Sequence, residues 1–160
     1  MAIACTFALN GRSMSTLVAP GVGSFAAFSG SGRWRNDPKG VGVAKIGPLP
    51  EGRYYIVDRE SGGRLGWLRD FVKDSWSGID HSSWFALLRD DGRLDDETFV
   101  GHIRRGEFRL HPVGPMGISE GCVTLQRLAD FVRLAAALRN AQPLAIPKGG
   151  GRAYGMIEVS

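Results

Sequence analysis

The 160-residue sequence predicts a mainly β fold, a single domain of sandwich or meander type with one or two helices. Three observations predict it. Glycine supplies 23 of the 160 residues, about twice ordinary usage, so the chain turns often. Short β-branched and aromatic runs recur between clusters of Gly, Pro, Asn and Asp. One stretch alone, about Gln126 to Asn140, carries a sustained helical period. The length suits one core, and no repeat, low-complexity tract or linker divides it. Residues 1–160 are therefore read as one domain.

The elements follow in order. Thr6–Leu9 and Ser15–Val18 flank Asn10-Gly11, a hairpin signal because both residues tolerate positive φ. Ser24–Phe28 is a further short strand, followed by the loop 29–32. Gly47-Pro48-Leu49-Pro50-Glu51-Gly52 is a rigid turn that leads into a strand over Arg53–Asp58. Trp67, Leu68, Phe71, Val72 and Trp76 have roughly helical spacing among glycines and serines, which predicts a short loop-borne helix placed as a lid. Trp84–Leu88 is apolar on both faces, as in a buried strand. Glu107-Phe108-Arg109-Leu110-His111 alternates, so Phe108 and Leu110 are expected in the core and Glu107, Arg109 and His111 on an exposed face. In the helix, Gln126, Asp130, Arg133 and Asn140 are expected on the polar stripe, opposite Leu128, Ala129, Val132, Ala135, Ala136 and Leu138. Pro143 stops it, and Ala153–Val159 closes the chain as a strand.

Composition narrows the function. Lys+Arg 20 against Asp+Glu 16 gives +4, with the basic residues scattered, so a nucleic-acid partner is not expected. Two cysteines, Cys5 and Cys122, exclude a disulfide framework and a four-cysteine zinc site, and nothing in the sequence supports a bridge between them. Three scattered histidines form no metal-binding pair, so no metal and no cofactor is expected. No 18-residue apolar run is present, so no membrane span is expected. The N-terminus lacks the basic start and apolar stretch of a secretory signal, so export by the ordinary signal route is not expected.

The chemistry is concentrated between Phe108 and Leu125. A thiol needs a nearby base to become a nucleophile at neutral pH. His111 and Cys122 are joined by a loop with three glycines and two prolines, which can double back and bring imidazole beside sulfur. Gly121 allows close backbone approach, and the N–H groups of Gly121 and Cys122 are candidates for an oxyanion site. Ser119 is a candidate for holding the loop or touching a substrate. Taken alone, a lone cysteine is more often a small buried hydrophobe, which is the reading for Cys5. His81 and His102 are further imidazoles with nothing around them to single them out.

A histidine, a short loop, Ser-x-Gly-Cys, a β-branched residue and then an amphipathic helix together resemble the active-site signature of L,D-transpeptidases, the YkuD-like class. Phe108-Arg109-Leu110-His111-Pro112 with Ser119-Glu120-Gly121-Cys122 more closely resembles the type VI secretion L,D-transpeptidase effector family. Asn10-Gly11, Phe28-Ser29-Gly30 and the run from Gly47 to Ile56 agree with it. The resemblance spans roughly residues 5 to 140. The chain departs from the wider class in having Glu120 in place of a histidine, Thr124 in place of an arginine, and a shorter His–Cys spacing.

The resemblance implies an L,D-transpeptidase-like fold and a cysteine enzyme that trims, exchanges or crosslinks peptidoglycan stem tetrapeptides through a thioester. Cys122 would be its nucleophile and His111 its base. Arg109, sharing an exposed face with His111, is a candidate for a substrate carboxylate, and Glu120 and Thr124 are candidate substrate contacts. The implied partners are a stem peptide, the type VI secretion machinery and an immunity protein. The implied route runs from the producer's cytoplasm to the periplasm of a target bacterium. Two other readings stay open: a papain-like amidase, whose cysteine ordinarily precedes its histidine, and a non-catalytic wall-binding module with Cys122 far from any imidazole.

Overall fold

The computed structural model describes residues 1–59 and 84–160. The predicted lid helix around Trp67–Trp76 and the histidine at 81 lie outside them. Twelve strands and one α-helix are described: β1 (Ile3–Phe7), β2 (Ser15–Ala19), β3 (Gly23–Phe28), β4 (Gly52–Asp58), β5 (Phe85–Arg89), β6 (Glu97–Val100), β7 (Ile103–Gly106), β8 (Arg109–Pro112), β9 (Val123–Leu125), α1 (Leu128–Asn140), β10 (Leu144–Ala145), β11 (Arg152–Ala153) and β12 (Gly155–Val159). Among the described residues the fold is mainly β with one α-helix, in line with the mainly β class that the sequence predicts.

Eight strands close into a barrel in the order β1, β12, β4, β5, β8, β9, β3, β2, with β2 returning to β1. Most neighbours are antiparallel, but β1 with β12 and β8 with β9 run parallel. The alternation in β2 sends Ser15, Leu17 and Ala19 inward and leaves Thr16 and Val18 facing out. The Asn10-Gly11 signal lies in a seven-residue connection, 8–14, rather than a two-residue turn. There the Asn10 side chain accepts from the Arg12 N–H, and Gly11 adopts φ +69°.

Helix α1 buries Phe131, Leu134, Ala135 and Leu138. This i, i+3, i+4, i+7 stripe packs into the core formed by Phe7, Leu17, Leu110, Val123 and Leu125. The predicted apolar face is therefore corrected: Leu128 and Val132 are exposed. A smaller cluster of Tyr55, Val57, Ala86, Leu88 and Ile146 packs on the other side of β4 and β5.

Strands β6, β7, β9 and β10 were not anticipated. The hairpin of β6 and β7 is rich in charged residues and gives no alternating apolar signal. Strand β9 is three residues long and merges in sequence with the start of the helix.

Candidate active site

Strands β8 and β9 pair in parallel, with Leu110 level with Val123, His111 with Thr124 and Pro112 with Leu125. Level residues in neighbouring strands point to the same side of a sheet. Leu110, Val123 and Leu125 thus enter the core, while Arg109, His111, Cys122 and Thr124 share the opposite face. Cys122 stands one step before the ladder, at the height of Arg109, whose backbone N–H donates to its sulfur. His111 and Cys122 are diagonal neighbours, a relation within reach of long side chains. The chain must travel from the end of β8 back to the start of β9 to make a parallel pair. The loop 113–122 makes that return, and this is what delivers Cys122 to the side of β8.

The imidazole is fixed on two sides. Nδ1 of His111 lies 2.7 Å from the Pro112 carbonyl. A carbonyl only accepts, so Nδ1 carries the proton and Nε2 of the neutral ring is left as the base. The Thr124 hydroxyl lies 3.4 Å from Nε2, a long contact. Trp84, one residue before β5, stacks on the ring at 4.4 Å and 19°. His111 is buried, which keeps the ring out of bulk water.

The return loop is sewn to the segment after β3. Ser31 Oγ donates to the Ser119 carbonyl at 2.7 Å, and the Ser119 N–H donates back to Ser31 Oγ at 3.1 Å. Ser119 Oγ donates to the Cys122 carbonyl at 2.8 Å and accepts from the Gly30 N–H at 3.3 Å. Arg35 donates to the Gly117 carbonyl at 2.9 Å. Of the two roles expected of Ser119, loop holding is the one these bonds describe. Ser29 accepts from the Leu49 N–H at 2.7 Å, so Phe28-Ser29-Gly30 and the Gly47–Gly52 turn form one support beneath the loop.

Gly121 adopts φ +77°, and a Cβ there would fall 2.6 Å from Nη2 of Arg105 and 3.1 Å from the Phe108 ring. Arg105 has little freedom to yield. It is buried, and it donates to the carbonyls of Val41, Gly47 and Pro48.

Electrostatically, burial pushes the Cys122 thiol up to about 11, and the Arg109 cation and its backbone N–H pull it down. Glu120 and Asp96 push it up further. The resting sulfur is therefore a protonated thiol. Arg109 is 1% exposed and is held by Asp96 through Nη1 at 2.9 Å and Nη2 at 2.7 Å. Among the described residues, no group of three or more His, Cys, Asp or Glu is placed to hold a metal ion.

A family model described as the Tlde1 domain matches residues 23–149, well over half of the chain. The chain belongs to the Tlde1 family. This is the type VI secretion L,D-transpeptidase effector family, and membership implies a peptidoglycan-modifying enzyme of L,D-transpeptidase type. Comparison with curated proteins gives no significant match. No helix among the described residues is long and apolar enough to cross a membrane.

Within the Tlde1 domain, the expected residues separate into two groups. His111, Cys122, Gly121, Ser119 and Thr124 are brought together around the return loop, with Glu120 half-buried beside them. The expected exposed face of β8 is corrected: Arg109 and His111 are both buried, because the opposite side of the sheet is also covered. The Arg109 guanidinium is occupied by Asp96, and Thr124 faces His111 rather than solvent. His102 is exposed in the β6–β7 turn. Asp96, Arg105 and Trp84 carry the support of the site and were not foreseen in that role. Asp96 follows another aspartate in a charged stretch, Arg105 follows another arginine, and neither spacing marks which one turns inward.

Proposed function

We propose that residues 1–160 form one catalytic domain that acts on peptidoglycan stem tetrapeptides as a cysteine L,D-transpeptidase and L,D-carboxypeptidase. The observation that carries the reading is that His111 and Cys122 lie on one face of adjacent parallel strands, with the Pro112 carbonyl holding Nδ1 so that Nε2 is the basic nitrogen. Burial favours the protonated thiol, and His111 acts as the general base that removes its proton.

Nε2 takes the thiol proton as sulfur bonds to the carbonyl carbon at the L-centre of the third stem residue, meso-diaminopimelate. In this reading the N–H groups of Gly121 and Cys122 receive the oxyanion. As the tetrahedral adduct collapses, the C–N bond to the terminal D-alanine breaks, and the imidazolium returns its proton to the departing amine. The thioester is then resolved by water, giving trimming, by a free D-amino acid, giving exchange, or by a second stem amine, giving a crosslink. Glu120, half-buried beside Cys122, is the remaining candidate substrate contact.

The order His…Ser-x-Gly-Cys supports kinship with the wider YkuD-like class. Stem peptides lie in the periplasm, so the reading places the action in a target cell reached by type VI delivery, with an immunity protein as the expected restraint. The test is mass spectrometry of purified tetrapeptide muropeptides incubated with the wild type and with Cys122→Ala. Release of D-alanine or formation of exchanged products by the wild type alone supports the reading. No product from the folded wild type overturns it.

A further inference from the structure

We propose that Arg109 is a positioning residue for the nucleophile: its buried cation holds the Cys122 thiolate as it forms, and Asp96 sets how much of that charge the sulfur feels. The inference rests on Cys122 being the nucleophile.

Geometry comes first. Arg109 stands level with Cys122 across the β8–β9 pair, on the same face, and its own backbone N–H already donates to the sulfur. Its side chain is buried, so little water screens its charge. The guanidinium is held rigidly: Nη1 and Nη2 grip Asp96, and Nη1 also donates to the Phe108 carbonyl at 2.8 Å. Its Nε is buried without a hydrogen-bond partner among the described residues. Leaving a donor unmet on a buried cation is costly. An anion that exists only when the neighbouring thiol loses its proton is the species such a cation suits.

The pair is also poorly explained as a stabilising device. A buried ion pair is weak evidence for stability, because desolvation offsets the attraction. Burial pushes the Asp96 carboxyl upward, against the hydrogen bond and charge of Arg109 that lower it. At Cys122 the two partners act in opposite senses, Arg109 lowering the thiol and Asp96 raising it. The other charged or titratable groups facing this region are His111 on β8, Arg105 on β7 and Glu120 on the return loop. Arg105 and Cys122 also feel each other's charge. Asp96, immediately before β6, makes the β6–β7 hairpin part of the electrostatic setting of the nucleophile.

The test reads the sulfur directly and needs no muropeptide. Iodoacetamide alkylation of Cys122 in the full-length protein is followed by peptide mass mapping at pH 8, where the rate tracks the thiolate fraction. Arg109→Gln is expected to slow alkylation about tenfold, the equivalent of one pKa unit. Asp96→Asn is expected to speed it several-fold, and Arg109→Lys, which keeps the charge, to stay near wild type. A purely structural pair would loosen the site in both variants and shift the two rates the same way. Shifts in one direction, or no shift in folded variants, overturn the proposal. If Arg109→Gln does not fold, the sign for Asp96→Asn decides: acceleration supports it, and slowing or no change overturns it. Opposite shifts alongside a wild type that makes no product would leave the charge coupling of Arg109 and Asp96 to the Cys122 sulfur in place while the catalytic reading, and with it the positioning role, fell.

Discussion

Strand β1 and the return loop before β9 each carry one buried cysteine, and the two sites differ in everything but burial. Cys5 is 2% exposed in the barrel wall, among Phe7 and Ile157, and burial alone pushes its thiol up to about 12. Cys122 is 8% exposed, and burial pushes it up to about 11, yet an arginine, a backbone N–H and two carboxylates also act on it. Neither is disulfide-bonded. Burial therefore says nothing about which thiol reacts. The polar groups around it do, because only they can change their interaction as charge moves onto sulfur.

The sharpest way to break the contrast is to remove each thiol in turn. Cys122→Ala should lower D-alanine release by about 10⁴-fold or more, while Cys5→Ala should leave it within a few-fold, measured by product mass spectrometry. Equal losses would erase the distinction. His111→Asn comes next. It can keep a contact to Pro112 but offers no base, and turnover should fall by about 10²–10⁴-fold with the melting temperature little changed. Turnover close to wild type would remove His111 from the chemistry.

Gly121→Ala tests the backbone rather than the thiol. The positive φ and the collision with pinned Arg105 predict a stability loss of about 1–3 kcal/mol in urea unfolding, together with lost turnover. A variant as stable as wild type would mean that the loop has freer backbone than its bonds suggest. The smallest effect is on alkaline stability. Cys5, Cys122 and Tyr54 are all raised by burial, so the folded state binds their protons more tightly than the unfolded chain does. That contribution is complete below the ordinary thiol range and is lost as pH rises through about 9 to 12. The melting temperature should fall over that window, and the fall should be shallower in Cys5→Ala.

Local patterning made β2 to β5, the strand at 109–112 and the helix readable from the sequence, because each has a run of apolar residues bounded by turn chemistry. The helix face was misread because Leu128 and Val132 are apolar yet point to solvent, and the true stripe starts at Phe131. Alternation in β8 suggested one wet face, but alternation cannot tell that a second layer covers it. Arg109 therefore looked free when Asp96, 13 residues earlier, already held it. His111 and Cys122 could be named as candidates because the family motif binds them into one short segment, and the structure sets them on one face of adjacent strands. Ser31 and Ser119 are 88 positions apart, and no local signal joins them.

The barrel has a further consequence where its boundary and the family's boundary disagree. The matched region runs from 23 to 149 and omits β1, β2, β11 and β12. In the barrel β12, β1 and β2 are three consecutive staves, and without them β3 and β4 would face open space across the gap. A chain cut to the matched region would expose two raw sheet edges and the Phe7 and Ile157 side of the core, a recipe for association between copies. One of those edges, β3, is the immediate neighbour of β9. The matched region is thus smaller than the closed barrel, and the excised piece would lose the scaffold around Cys122 before it lost any residue of the His…Ser-x-Gly-Cys motif.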